Sequence, residues 1–317
     1  MRTGIACALA ILLASCGSKP QPKEFFVAFS QCNNAEPYRA AQNNLMTKLF
    51  AEAGGVKLVI SDAQQDNSKQ VAQVETFIRQ KPDLLIVAPN ERAALTAVMS
   101  KAIEAHIRVI CLERDILQPN YTTYVHSDNL EIGRLAGKFI LDALTKKHGA
   151  PKGNVVQLRG LLGVEGEMKR DGGAKEIFSQ YPDIHIVAEP VADWIQASAK
   201  DRMTEVLRAE KSIDIVYGHN DPMAIGAYLA AKELNREKEM LFIGVDGLGG
   251  EAGGIKKVMD GILSATFVYP LCVDKTVEIA LKMLRDPNFQ PEKEYSLPST
   301  MVTKENAATL FSQLTLN

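Results

Sequence analysis

Short, nearly continuous apolar runs alternate with amphipathic stretches along most of the chain. FFVAFS (25–30), VKLVIS (56–61), DLLIVAP (83–89) and RVICLE (108–113) are separated by helical patterns at 38–54, 67–81 and 91–106. A strand with one wet face alternates apolar and polar residues, whereas a parallel strand buried on both faces does not. The intervening stretches have polar faces and begin near cap candidates such as Asn67, Ser68 and Asn90. The pattern predicts a doubly wound α/β unit.

The alternation breaks at 118–129, where Pro119, Asn120 and Asn129 flank a short TTYVH run, and then restarts. Helical patterns near 129–147, 166–181, 197–210 and 221–235 separate NVVQLRG (154–160), DIHIVAE (183–189), DIVYG (214–218) and LFIGVD (241–246). Two such series in tandem predict two similar parallel-sheet lobes with a cleft between them, a favoured place for ligands. ATFVYP (265–270), a helix near 271–285 and STMVTKEN (299–306) follow, and pattern alone assigns them to neither lobe.

Three of the runs end in polar residues: VICLERD (109–115), DIVYGHND (214–221) and LFIGVDG (241–247). Ligands of open parallel sheets bind just beyond the carboxyl ends of the strands. Residues a hundred positions apart can therefore converge on one small polar molecule.

Composition narrows the function classes. The 317 residues carry a net charge of −2 and no basic run, which argues against nucleic acid as a partner. Five histidines lie scattered without metal-ligand spacing, so neither a metal nor a cofactor is expected. The glycines of GLGGEA (247–252) match a dinucleotide fingerprint, but the acidic residue that should follow about 20 positions later is missing. With no nucleophile elbow, metalloprotease or P-loop motif either, the chain reads as a binding protein rather than an enzyme.

At the N-terminus, Arg2 precedes an apolar stretch from Ile5 to Ala14 and then Ser15, Cys16 and Gly17. Ten helical residues reach only about 15 Å, half a bilayer core, so the stretch predicts an export signal and not a membrane span. LASC (13–16) resembles the bacterial lipobox, in which Cys16 would become the lipidated first residue. Ser18–Lys23 has the polarity of a tether; the alternative is an ordinary signal peptide. Of the five cysteines, Cys32, Cys111 and Cys272 would remain, an odd set best read as buried thiols.

The landmarks FSQCNN (29–34), SDAQQDNSKQ (61–70), LER (112–114), SDN (127–129), RDGG (170–173), ADW (192–194), HNDPMAIGA (219–227), GVDG (244–247) and MVTKEN (301–306) occur in the order of a known family. Over about 25–317 the chain resembles the periplasmic sugar-binding proteins of the ribose/galactose type, extracytoplasmic components of ABC importers. The pair Tyr38 and Arg39 looks most like the galactofuranose-binding branch. The resemblance implies two α/β lobes joined by a three-strand hinge, with crossings near 125–129, 265–269 and 295–299. The expected division is a signal and tether at 1–23, a first lobe of 24–126 plus 270–296, and a second of 127–269 plus 297–317.

It also implies a ligand set: Asn34, Tyr38, Arg39, Glu113, Arg114, Arg170, Trp194, Asn220, Asp246 and Tyr269. Carboxylates at Glu113 and Asp246 would accept sugar hydroxyls, and Arg39 and Arg114 would donate charge-assisted pairs. Related binders usually carry Asp where this chain has Glu113. Trp194, the only tryptophan, would stack on a sugar's C–H face unless it serves the core. Tyr38 could stack from the other lobe. Asn220 is assigned to the ligand and Asp221, ahead of Pro222, to capping the helix. Arg170 serves either the ligand or its own helix; Tyr269 either the ligand or packing. The function implied is capture of a monosaccharide by hinge closure, with the protein expected as an exported, lipid-anchored monomer. Its partner would be an ABC permease or, alternatively, a membrane sensor that reads the closed form.

Overall fold

The computed structural model describes residues 24–315, so Cys16 and the signal and tether segments lie outside the described residues. The first series forms β1 (Phe25–Gln31), α1 (Pro37–Ala53), β2 (Val56–Asp62), α2 (Asn67–Gln80), β3 (Leu84–Val87), α3 (Arg92–Glu104), β4 (Val109–Leu112) and β5 (Thr123–Ser127). The second gives α4 (Asn129–His148), β6 (Gly153–Leu158), α5 (Glu165–Phe178), β7 (Ile184–Ala188), α6 (Gln196–Ala209), β8 (Ile215–Gly218), α7 (Asp221–Glu233), β9 (Leu241–Ile243), α8 (Gly254–Met259) and β10 (Thr266–Val268). The chain ends with α9 (Val273–Arg285), β11 (Glu294–Leu297), β12 (Thr300–Val302) and α10 (Ala307–Thr315).

One sheet has the order β11-β5-β4-β3-β1-β2, with every pairing parallel. The other runs β7-β6-β8-β9, also parallel, and bridges at Ile243–Ala265 and Asp246–Val268 attach β10, which pairs antiparallel with β12. Every residue of β3 and β4 is buried, as their uninterrupted apolar sequences require. The first sheet is covered on one face by α1 and α9 through Met46, Phe50, Val277 and Met283, and on the other by α2 and α3 through Val74, Phe77, Leu95 and Met99. The second sheet carries α4 and α5 on one face through Ile132, Ile140 and Phe178, and α6 and α7 on the other through Met203, Leu207 and Met223. The result is an α/β protein of two lobes, each with its own two-sided core.

The chain passes between the lobes three times: from β5 into α4, from β10 into α9, and from β11 into β12. At the first passage Asp128 caps α4, its side chain accepting from the N–H groups of Leu130 and Glu131. Such a cap is worth about 1 kcal/mol and fixes the direction of the helix leaving the hinge. The run 299–306 is extended only over β12, because Asn306 Oδ1 accepts from Thr303 N–H at 2.9 Å and turns the chain into α10. Cys32, Cys111 and Cys272 are buried free thiols.

Candidate functional site

The carboxyl ends of β4, β8 and β9 open onto one small cavity, lined by Glu36, Tyr38, Arg39, Glu113, Arg114, Val164, Gly166, Arg170, Trp194, Asn220, Asp246 and Tyr269. All the ligand candidates except Asn34 are brought together here. Asn34 is exposed and accepts from Asn43 at 3.1 Å, whereas its neighbour Asn33 is buried. Asn33 donates to Glu36 at 2.6 Å and so orients a carboxylate that sequence reasoning missed. Glu36 precedes Pro37 at the N-cap of α1, where it reads as a turn residue; burial beside three arginines has no signature in that run.

Three cavity residues adopt the left-handed backbone region that side chains other than glycine rarely occupy: Glu113 (φ 66°), Trp194 (φ 70°) and Asp246 (φ 131°). Each such conformation costs about 1–3 kcal/mol and persists only where its surroundings over-determine it. The Glu113 N–H donates to Val125 at 2.8 Å, and its carbonyl accepts from the Tyr124 hydroxyl at 3.0 Å. The Asp246 N–H donates to Phe267 and its carbonyl accepts from Tyr269 N–H, so β10 holds the strand end in place. Trp194 lies on Gly160: a Cβ there would stand 2.2 Å from the indole, which explains the glycine after β6.

The polar groups already pair with one another. Glu113 Oε2 lies 2.6 Å from Arg39 Nη1, and Oε1 accepts from the Tyr269 hydroxyl at 2.9 Å. Burial pushes the Glu113 carboxyl up, but Arg39, Arg114 and the tyrosine donor outweigh it and hold the group below its ordinary value. Arg114 donates to the Asn90 carbonyl at 3.2 Å, stands 4.0 Å from Glu36 and lies over Trp194 at 5.8 Å. Arg170 uses Nε on Asn129 at 2.9 Å and Nη1 on the His219 carbonyl at 2.5 Å, while its guanidinium faces the Tyr269 ring at 4.5 Å. It thus anchors its own helix and fronts the cavity at the same time.

The capping role expected of Asp221 at the start of α7 falls to Asn220, which also lines the cavity. Asn220 is the N-cap, accepting from Met223 N–H at 2.9 Å, and its amide donates to the Trp194 carbonyl at 3.0 Å. Asp221 is instead buried behind the cavity, accepting from Gly247 N–H at 2.8 Å and the Thr266 hydroxyl at 2.6 Å. Burial raises its pKa to about 7. Asp246 is raised well above the carboxylate range by burial and then by Asp221, with Arg170 opposing. Asp246 lines the cavity, so its carboxyl group is open to a ligand there.

The free cavity measures about 20 Å³, room for one or two waters. Ligand pockets start at about 300 Å³, so this cavity is too small for a sugar ring, and its polar groups partner each other. Among the described residues no group of His, Cys, Asp and Glu could hold a metal, and no helix is long and apolar enough to cross a membrane.

Comparison with known proteins finds relatives over most of the chain. The galactofuranose-binding protein YtfQ of Escherichia coli (strain K12) is 32% identical over 289 residues, spanning 89% of this chain and 88% of that protein. Among solved structures, the fructose-binding periplasmic domain of a hybrid two-component system superposes with a TM-score of 0.86 at 37% identity, covering 92% of this chain and 95% of the other. A galactofuranose-binding protein gives 0.84 at 29% identity over 92% and 99% of the two chains. The curated relatives are substrate-binding proteins and not enzymes. The family model described as a periplasmic binding protein domain matches residues 27–284, and with two parallel-sheet lobes closing on a polar cavity, the chain belongs to that family.

Proposed function

We propose that this chain captures a monosaccharide in the interlobe cleft and, as an exported lipoprotein anchored through Cys16, delivers it to an ABC permease. The observation that carries the reading is the convergence of Arg39, Arg114, Arg170, Glu113, Asp246, Asn220 and Trp194 from both lobes on one cavity. Alternating guanidinium and carboxylate groups suit a neutral polyol, whose hydroxyls donate and accept at once. Each charge-assisted hydrogen bond contributes about 1.5–3 kcal/mol, so a few of them with an aromatic face reach the roughly −8 kcal/mol of micromolar binding. Relatives named for galactofuranose, and an arabinose-transporter binding protein solved with L-arabinofuranose, favour a sugar in its furanose ring.

Closure follows from the same geometry. A ring cannot enter about 20 Å³, so binding requires the lobes to part at the three crossings and close again over the sugar. The lobes in this proposal are 24–126 with 270–296, and 127–269 with 297–317. A second reading, a sensor presenting its closed form to a membrane receptor, is favoured by the 37% identity to a domain of a two-component system.

The deciding measurement is a thermal-shift screen of the chain from Lys19 onward against pentoses and hexoses. Ligand at a hundredfold its Kd adds about 2.7 kcal/mol and raises the midpoint by several degrees. A shift with one sugar names the ligand, and no shift with any removes the monosaccharide reading. Purification from membranes with and without Cys16→Ala tests the anchor.

A further inference from the structure

Two spaces meet at Tyr269. On one side is the polar cavity of about 20 Å³; on the other, a groove of about 580 Å³ runs along α1, the start of α9 and the loop after β9. Leu45, Leu248, Val268, Leu271 and Leu297 give the groove apolar walls drawn from both lobes. Asp246 and Tyr269 are the residues common to the two linings, so they form the partition between them.

The tyrosine is fixed from four directions. Its hydroxyl donates to Glu113 Oε1 at 2.9 Å and accepts from Asn129 Nδ2 at 3.2 Å. Its ring stacks on Tyr38 at 5.3 Å between centroids, and the Arg170 guanidinium lies 4.5 Å from its centroid. All four contacts are made by the protein's own side chains. The Tyr38 hydroxyl is itself tied to the Pro270 carbonyl at 2.7 Å, which keeps the stacked pair on the segment that crosses between the lobes.

We infer that Tyr269, held by Glu113, is a specificity-determining stopper that restricts the site to a single unsubstituted sugar ring. The inference rests on the monosaccharide reading above. A ligand carrying an aglycone or second ring toward the hinge would have to displace a side chain with four partners. Without the tyrosine ring the cavity and groove become continuous, and the apolar walls of the groove then favour such a substituent. Glu113 sets how firmly the stopper is seated, since one of its oxygens serves Tyr269 and the other Arg39.

The test is calorimetric titration of the chain from Lys19, as wild type, Tyr269→Ala and Tyr269→Phe. The probes are D-fructose, D-galactose and L-arabinose, with sucrose and the p-nitrophenyl furanosides of galactose and arabinose as substituted counterparts. Wild type should prefer the free sugar over its substituted counterpart by about 100-fold or more. Tyr269→Ala should narrow that ratio by roughly tenfold or more, while Tyr269→Phe, which keeps the ring and loses only the hydroxyl, should preserve most of it. Tyr269→Gln makes the same comparison if the alanine variant does not fold. Equal binding of substituted and free sugars by wild type, or an unchanged ratio when the ring is removed, overturns the inference alone. Failure of wild type to bind any of the free sugars removes the monosaccharide reading and the stopper with it.

Discussion

Asp221 and Asp246 share one buried region, and their separate partners give them separate tasks. Asp221 is saturated by Gly247 and Thr266, while Asp246 faces the cavity. Asp246→Ala or Arg114→Ala should therefore lower sugar affinity by more than about 100-fold. Far-UV circular dichroism should remain that of wild type; retained affinity in both variants would mean that the sugar binds elsewhere. Asp221 should leave a signature in stability. Its folded pKa is raised from 3.8 to about 7, so the folded state binds the extra proton. Its contribution is fully present below about pH 4 and is lost as pH rises through about 7. His219 acts in the opposite sense: burial, and then Arg170, lower its pKa well below 6.5, so its contribution is lost as pH falls from that value. The clean observable is the melting-temperature difference between Asp221→Asn and wild type. It should shift in favour of the variant from pH 5 to pH 8, and a difference constant with pH would discard this account. Residues of this kind were readable from sequence where a strand end exposes them, as at Glu113 and Asp246. The roles of Asn220 and Asp221 were not, because either side chain can cap a helix, and only the approach of Gly247 and Thr266 decides which one does.

Among the elements, α4 and α5 pack closely, and α5 carries Arg170 to the cavity. A Cβ on Gly133 would stand 2.5 Å from the Arg170 carbonyl, and one on Gly173 would stand 2.3 Å from the Leu130 carbonyl. Backbone atoms yield little, so Gly133→Ala must push α5 outward and pull Arg170 from Asn129 and the His219 carbonyl. The expected cost is about 1–3 kcal/mol of stability together with weaker sugar binding. Gly172, one position away in α5 with nothing within 4 Å, is the control: Gly172→Ala should be neutral or stabilising by up to about 1 kcal/mol. Equal melting temperatures for the two variants would show that helix contact does not set the position of Arg170. The long elements were legible because their apolar periods are strong. The short helix α8 was not, since Gly247, Gly249, Gly250 and Gly253 crowd its approach, and neither was α10, whose start depends on the Asn306 turn.

For the whole molecule, the proposed closure turns on the angle between the lobes at the three crossings. Small-angle scattering of the chain from Lys19 should show the radius of gyration falling, or a distribution narrowing, when saturating sugar is added; identical profiles would exclude closure as the binding step. The two-lobed plan was legible because the apolar series occurs twice. Pattern alone left the last segments unassigned and only the family resemblance implied opposite lobes for them; β11 pairs beside β5 and β12 beside β10. Glu113 has Arg39 and Tyr269 as partners, and Gln65 reaches across to the Asp193 carbonyl at 3.3 Å. Protein contacts that stand where sugar hydroxyls would, or that bridge the lobes, add to the stability of a closed arrangement by themselves. A fluorescent reporter that reads lobe distance in this protein would then start from a raised baseline. Tyr269→Phe, by removing one substitute, should lower that background and widen the signal range.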